Sequence, residues 1–164
     1  MRNEAVVHIE HPFGKGTLRS GGSQYCAEVA DSTGSTATWV EVEATTIEPP
    51  ARGKLVELEI AVTWSQKNSS TGSFVNGRIV ARNKDGTYIS IIDTGTSPAT
   101  SADYVQDAAG STVYVEHNYS GYVATTSLLD SVPFDVAVQV QREGTTGIAT
   151  SKVKSSSYVK ATYR

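Results

Sequence analysis

The sequence predicts an all-β fold of two packed antiparallel sheets, jelly-roll-like and with at most one short helix. Three features carry that reading: apolar residues that alternate with polar ones at period two, repetition of such runs at even spacing, and turn residues between them. The strongest run is Lys54 to Ser65, where Val56, Leu58, Ile60, Val62 and Trp64 alternate with Leu55, Glu57, Glu59, Ala61 and Thr63. Successive side chains of a strand point to opposite faces, so the first row is predicted to face the core and the second to be mostly wet. The same pattern recurs at Phe134, Val136, Val138 and Val140, and at Val113, Val115, His117 and Tyr119. Helical spacing accounts for none of these runs, and their Val, Ile, Tyr and Phe content matches strand preference.

Lys84-Asp85-Gly86-Thr87 separates the run Phe74 to Arg82 from the run Tyr88 to Ile92. Asp-Gly favours a two-residue hairpin turn, which predicts that Arg82 faces Ile89, Val80 faces Ile91 and Arg78 faces Asp93. One face of the hairpin then carries Val80, Ile89 and Ile91, the other Ile79, Ala81, Tyr88 and Ile92. Both faces are partly apolar, so the hairpin is central in the sandwich or covered on its second side. If one face meets the domain's own core, the other is a contact surface, with Ile79, Tyr88 and Ile92 as candidate interface residues.

Further strands are expected at Ala5 to Ile9, Tyr25 to Ala30, Trp39 to Thr45, Gly121 to Thr126, Gly147 to Val153 and Tyr158 to Tyr163, with Gly-, Ser- and Pro-rich turns between them. So many short strands suggest a sandwich or jelly roll. The helical candidate is Ser101 to Ala109, capped by Thr100 or Ser101 and stopped by Gly110. The 164 residues contain no repeat or linker, and one domain over residues 1–164 is expected.

The net charge of −3, without a cluster of Lys or Arg, argues against nucleic acid and anionic membranes as partners, because both need a concentrated basic surface. No apolar stretch reaches the roughly 20 residues of a membrane-spanning helix, and Met1-Arg2-Asn3-Glu4-Ala5 does not read as a signal peptide. The single cysteine, Cys26, has no disulfide partner in the chain and reads as a buried small side chain on a strand.

Chemistry-bearing residues are sparse. His8, His11 and His117 are the imidazoles, and His8 and His11, three apart on a strand, point to opposite faces, so no metal site is expected. Gly14-Lys15-Gly16-Thr17 lacks the earlier glycine of a phosphate-binding loop. No Gly-x-Ser-x-Gly elbow and no placed carboxylate pair occurs, so neither a catalytic residue nor a cofactor is assigned. Asn68-Ser69-Ser70 and Asn118-Tyr119-Ser120 match the glycosylation acceptor pattern. Tyr119 and Tyr122 flank Ser120-Gly121, read as a turn, and form a candidate glycan platform.

The closing run Val132-Pro133-Phe134-Asp135-Val136-Ala137-Val138-Gln139-Val140-Gln141, a Gly-rich turn, and Ser155 to Tyr163 resemble the last strands of small jelly-roll proteins on the virions of tailed bacteriophages. The resemblance covers about the last third of the chain and brings no motif to transfer residue by residue. It implies a non-catalytic structural role, as a capsid decoration or tail component made in the host cytoplasm, located on the virion, and assembling with copies of itself and other virion proteins. The alternative is a carbohydrate-binding or adhesion module, motivated by the tyrosines. A hydrolase on the same scaffold comes third, because fold alone does not exclude it.

Overall fold

The computed structural model describes residues 5–14, 25–31, 38–51, 53–86, 88–92, 104–107, 112–123, 132–144 and 146–164, and for residues 26–31, 88–92 and 123 the backbone alone. Eleven strands are present among them: β1 (Val7–Pro12), β2 (Tyr25–Asp31), β3 (Val40–Ile47), β4 (Leu55–Asn68), β5 (Ser73–Asn83), β6 (Tyr88–Ile92), β7 (Val105–Asp107), β8 (Val115–Val123), β9 (Phe134–Gly144), β10 (Ala149–Lys154) and β11 (Tyr158–Tyr163).

Three pairs of these strands are collinear pieces of single lanes. β10 and β11 pair one after the other along the same edge of β4, from Ala149↔Asn68 to Tyr163↔Leu55. β2 and β1 pair successively with β10 and β11, and β7 and β6 pair successively with β5. Numbered in chain order, the lanes are β1 with β2, then β3, β4, β5, β6 with β7, β8, β9, and β10 with β11. One sheet then has lane order 1-8-3-6 and the other 2-7-4-5, antiparallel throughout. Eight lanes split in that order between two sheets are a jelly roll, in which the paired lanes 1:8, 2:7, 3:6 and 4:5 wrap around a common core.

The core is built from the period-two rows. Leu58, Ile60, Val62 and Trp64 of β4 are buried against Val75, Ile79 and Ala81 of β5 and Phe134, Val136, Val138 and Val140 of β9. Val56, expected to begin the row, is instead 37% exposed, and Leu55 takes the inward place. A register shift where Thr162 and Tyr163 meet β4 is the reason, since one extra residue inverts the alternation beyond it.

The hairpin register is as predicted for Val80↔Ile91, but Arg82 lies opposite Tyr88, not Ile89, because a bulge intervenes between Ala81 and Arg82. Gly86 N–H bonds to Asn83 O at 2.9 Å and Gly86 has φ 88°. Lys84 and Asp85 are therefore the central residues of the turn, and glycine takes the left-handed position after them. The expected helix is corrected as well. Of its described residues, 104–107, Val105–Asp107 form β7, paired with Val75, Asn76 and Gly77. Val105 and Asp107 are buried while Gln106 bonds to Asn76 and Glu143, so the local segment satisfies an open edge of β5 in preference to forming a short isolated helix.

Ser157 joins the broken lane. Between β10 and β11 its hydroxyl accepts from Thr63 N at 3.0 Å and donates to Thr63 O at 3.3 Å, while its carbonyl accepts from Phe13 N at 3.1 Å. A side chain thus supplies the two rungs that the backbone cannot make at the break. Ser157→Ala is expected to cost about 1–3 kcal/mol, the cost of leaving a buried peptide group unpaired, measured as a lowered midpoint of urea unfolding with an unchanged slope.

Candidate functional site

The candidate interface residues are not gathered on a surface. Ile79 is fully buried in the core, and Val80 on the opposite face of β5 is fully buried too, as is its β9 partner Ala137. Ile79 is thus corrected to a core residue. β5 is central in its sheet, and its outer face is covered: the Arg78 guanidinium lies 4.0 Å from the centre of the Trp39 ring and donates from Nε to Gln139 Oε1 at 2.9 Å, and Trp39 meets Tyr104 at 6.0 Å. Both apolar faces of β5 are therefore used within the chain. The backbone places Tyr88 beside Arg82 and Ile92 beside Ile79. The side chains of Tyr88 and Ile92 lie outside the described residues.

The candidate glycan platform separates as well. Ser120-Gly121 is mid-strand in β8, not a turn, with Ser120 opposite Ala61 and Gly121 opposite Ile60. Tyr119 faces inward with His117 and packs against the core, its phenol over Gly121, where a Cβ would stand 2.8 Å from the hydroxyl. Tyr122 faces outward and is 67% exposed. An odd separation on one strand puts the two rings on opposite faces, so they form no common platform.

The outer face of the first sheet is polar and charge-paired. Lys160 binds Glu59 at 2.6 Å, Tyr158 donates to the same carboxylate at 3.2 Å, and Lys154 binds Glu116 at 2.6 Å. The Lys160 ammonium holds the Glu59 carboxyl below its ordinary range. Lys152 lies about 4 Å over the rings of both Tyr25 and Tyr114. Across the other sheet, Arg82 pairs with Glu41, and Lys84 with Asp135. Such pairs contribute little stability each, but they mark surfaces built to face water.

Inside, the β4 row continues past Trp64 into polar residues that the period-two reading had not followed. Trp64 Nε1 donates to Gln66 Oε1 at 3.0 Å, and Gln66 Nε2 reaches Asp107 Oδ2 at 2.7 Å and the carbonyls of Val105 and Val75. His117 Nε2 bonds the same Asp107 oxygen at 2.9 Å, and its ring meets Trp64 at 5.4 Å. Gly77 leaves the space for this network, since a Cβ there would collide with Gln66 Oε1 and stand 2.7 Å from Trp64 Nε1. The network ties lanes 3, 5 and 6 together and satisfies buried polar atoms, which is a structural task. Asp107 was hidden from sequence reasoning by the helical reading of its segment.

Most exposed apolar side chains are placed at the ends. Among the described residues these are Val6, Val7, Val56 and Val132 at one end, and Phe74, Val113 and Ile148 at the other, while Tyr122 is exposed on the outer face of β8 beside Glu59 and Lys160. The first end is identified by register: Val7 is opposite Tyr163, which is opposite Leu55, and Phe134, just after Val132, begins β9 opposite Ile47 and Asn83. Val6, Val7, Val56 and Val132 therefore lie toward the same end of the sandwich.

Of the remaining candidates, His8 and His11 do point to opposite faces: His8 Nδ1 is 3.0 Å from Thr162 Oγ1 at the surface, and His11 is turned between the sheets. Among the described residues no three His, Cys, Asp or Glu side chains gather as a metal ion would require. Asn68 is fully buried and is no glycan acceptor; Asn118 is exposed and its amide oxygen accepts from Thr63 Oγ1 at 2.7 Å. The Cys26 side chain and Lys15-Gly16-Thr17 lie outside the described residues.

No family model matches the chain, and no curated protein matches it. Among solved structures it is similar to infectious bursal disease virus of the Gt strain, at 8% identity and a TM-score of 0.49, covering 96% of this chain and 33% of that one. It is also similar to the T13 viral particle of the same virus, at 6% identity and 0.48, covering 98% and 36%, and to its VP2 subviral particle, at 10% and 0.43, covering 98% and 36%. The chain thus spans about a third of the length of the structures it matches. At these identities no function transfers, and the jelly roll follows from the strand order itself.

Proposed function

We propose that this jelly roll is a non-catalytic building module of a virus particle, which joins copies of itself and neighbouring particle proteins through the end bearing Val6, Val7, Val56 and Val132. The observation that supports this reading is where apolar surface remains. Both sheets use their inner faces for one core, and their outer faces carry charge pairs and a ring-covered arginine. Exposed valines are left at the ends. Clustered exposed apolar groups with a polar surround are the usual mark of a contact surface. The finer assignment, a decoration or tail component of a bacteriophage virion, draws on the resemblance of the closing strands.

Sedimentation tests the reading directly. The protein is expected to form a defined oligomer, and the pair Val56→Lys and Val132→Lys is expected to give a folded monomer with a melting temperature within a few degrees of the parent, since surface substitutions typically change stability by about 0.5 kcal/mol or less. A parent that stays monomeric at high concentration, or a doubly substituted protein of unchanged mass, would remove this end from consideration.

A further inference from the structure

β1 is an outermost lane. It pairs with β11 along six residues, and among the described residues no strand pairs its other edge. Beyond that pairing, Thr45 Oγ1 donates to the Pro12 carbonyl at 3.0 Å, Phe13 N–H reaches Ser157 O at 3.1 Å, and His8 meets Thr162. Along β1 every side chain except Ile9 and His11 is exposed, so these two and the following Phe13 are what the strand inserts.

His11 is a poor group to insert. It lies opposite Val159 on β11 and near Thr46 on β3, and its Nε2 is buried without a hydrogen-bond partner. The charged groups around it divide by face. Glu48, just past β3, is the carboxylate that acts on it, and the Thr46 backbone offers a hydrogen bond; both favour the protonated ring. Tyr158 and Lys160 of β11 engage Glu59 on the outer face, as the alternation requires for residues flanking Val159. Glu10 is opposite Lys160, on that same outer row. Burial outweighs Glu48 and Thr46 and holds the imidazole below its ordinary range.

We infer that β1 is an acid-released strand: protonation of His11 places a partly unpartnered imidazolium between the sheets, and the sandwich relieves it by letting residues 7–12 leave the β11 edge. The sign follows from which state binds the proton. The docked strand favours neutral His11, whereas the detached strand takes a proton with the ordinary affinity of histidine, near pH 6.5. Docking is therefore complete above that pH and weakens as the pH falls through it, by up to about tenfold per pH unit until the docked ring also titrates. Val7 begins this strand and Val6 precedes it, so acid would also weaken assembly; that consequence alone rests on the proposed contact end.

Backbone hydrogen exchange on the full chain, at a concentration where it is monomeric, tests the release independently of assembly. Between pH 7.5 and 5.0, after correction for intrinsic rates, amides of residues 7–12 are expected to lose about twofold or more of their protection while those of β9 keep theirs. His11→Gln, which carries no charge at either pH, should abolish the difference. Because that variant could weaken docking by itself, the ring of unsubstituted His11 is titrated by NMR as a second reading, with a midpoint expected below 6.5. Equal protection at both pH values, an equal acid loss in His11→Gln, or a midpoint at or above 6.5 would each overturn the inference.

Discussion

Truncating Trp64 to alanine is expected to cost about 3–5 kcal/mol, read from denaturant unfolding. The indole is fully buried at the junction between the apolar core and the interior polar network, so its removal acts twice. A large cavity opens beside Val62, and Gln66 Oε1 loses the indole N–H that it accepts. Ile60→Ala, in the same row but without a polar partner, is expected to cost about 2–5 kcal/mol. Val56→Ala, at the bulged end of the run, should cost well under 1 kcal/mol because Val56 faces water. A loss at Val56 equal to that at Ile60 would show that the bulge is misplaced.

Ile79→Lys and Val80→Lys are both expected to unfold the protein. An ammonium placed in either fully buried position is left without a partner, and the cost is comparable to the roughly 5–15 kcal/mol that holds a domain folded. The readout is loss of the cooperative thermal transition in circular dichroism. The comparison is informative because the two side chains point to opposite faces of β5. Had one face been a free contact surface, its lysine variant would fold and merely assemble less well. A folded, cooperative Val80→Lys protein would therefore show that the outer face of β5 is less completely covered than Ala137, Gln139 and Arg78 indicate.

Much of the sandwich was legible because the strand period is a local property. The rows Leu58 to Trp64 and Phe134 to Val140 are readable from alternation alone, and Asp85-Gly86 announced its turn. Three misreadings share a cause. Val56 was put inside because a bulge depends on how the partner strand β11 meets β4. Residues 105–107 were read as helix because their strand exists only through the open edge of β5. Ser120-Gly121 was read as a turn because small residues mark turns, whereas here Gly121 makes room for the Tyr119 ring on the same strand.

The surfaces were less legible than the core. An apolar residue on the second face of a hairpin reads as a contact surface until the cover is seen, and the cover of β5 includes Trp39, about forty residues away in sequence. The sequence by itself determined the class of fold, most of the strands and their inward rows, since alternation between water and core is encoded residue by residue. Only the tertiary structure decided which strands join into lanes, that Asp107, His117, Gln66 and Trp64 meet inside, and that the half-buried His11 turns its Nε2 inward beside β3. These depend on contacts between residues far apart in the chain, and no local pattern of side chains carries that information.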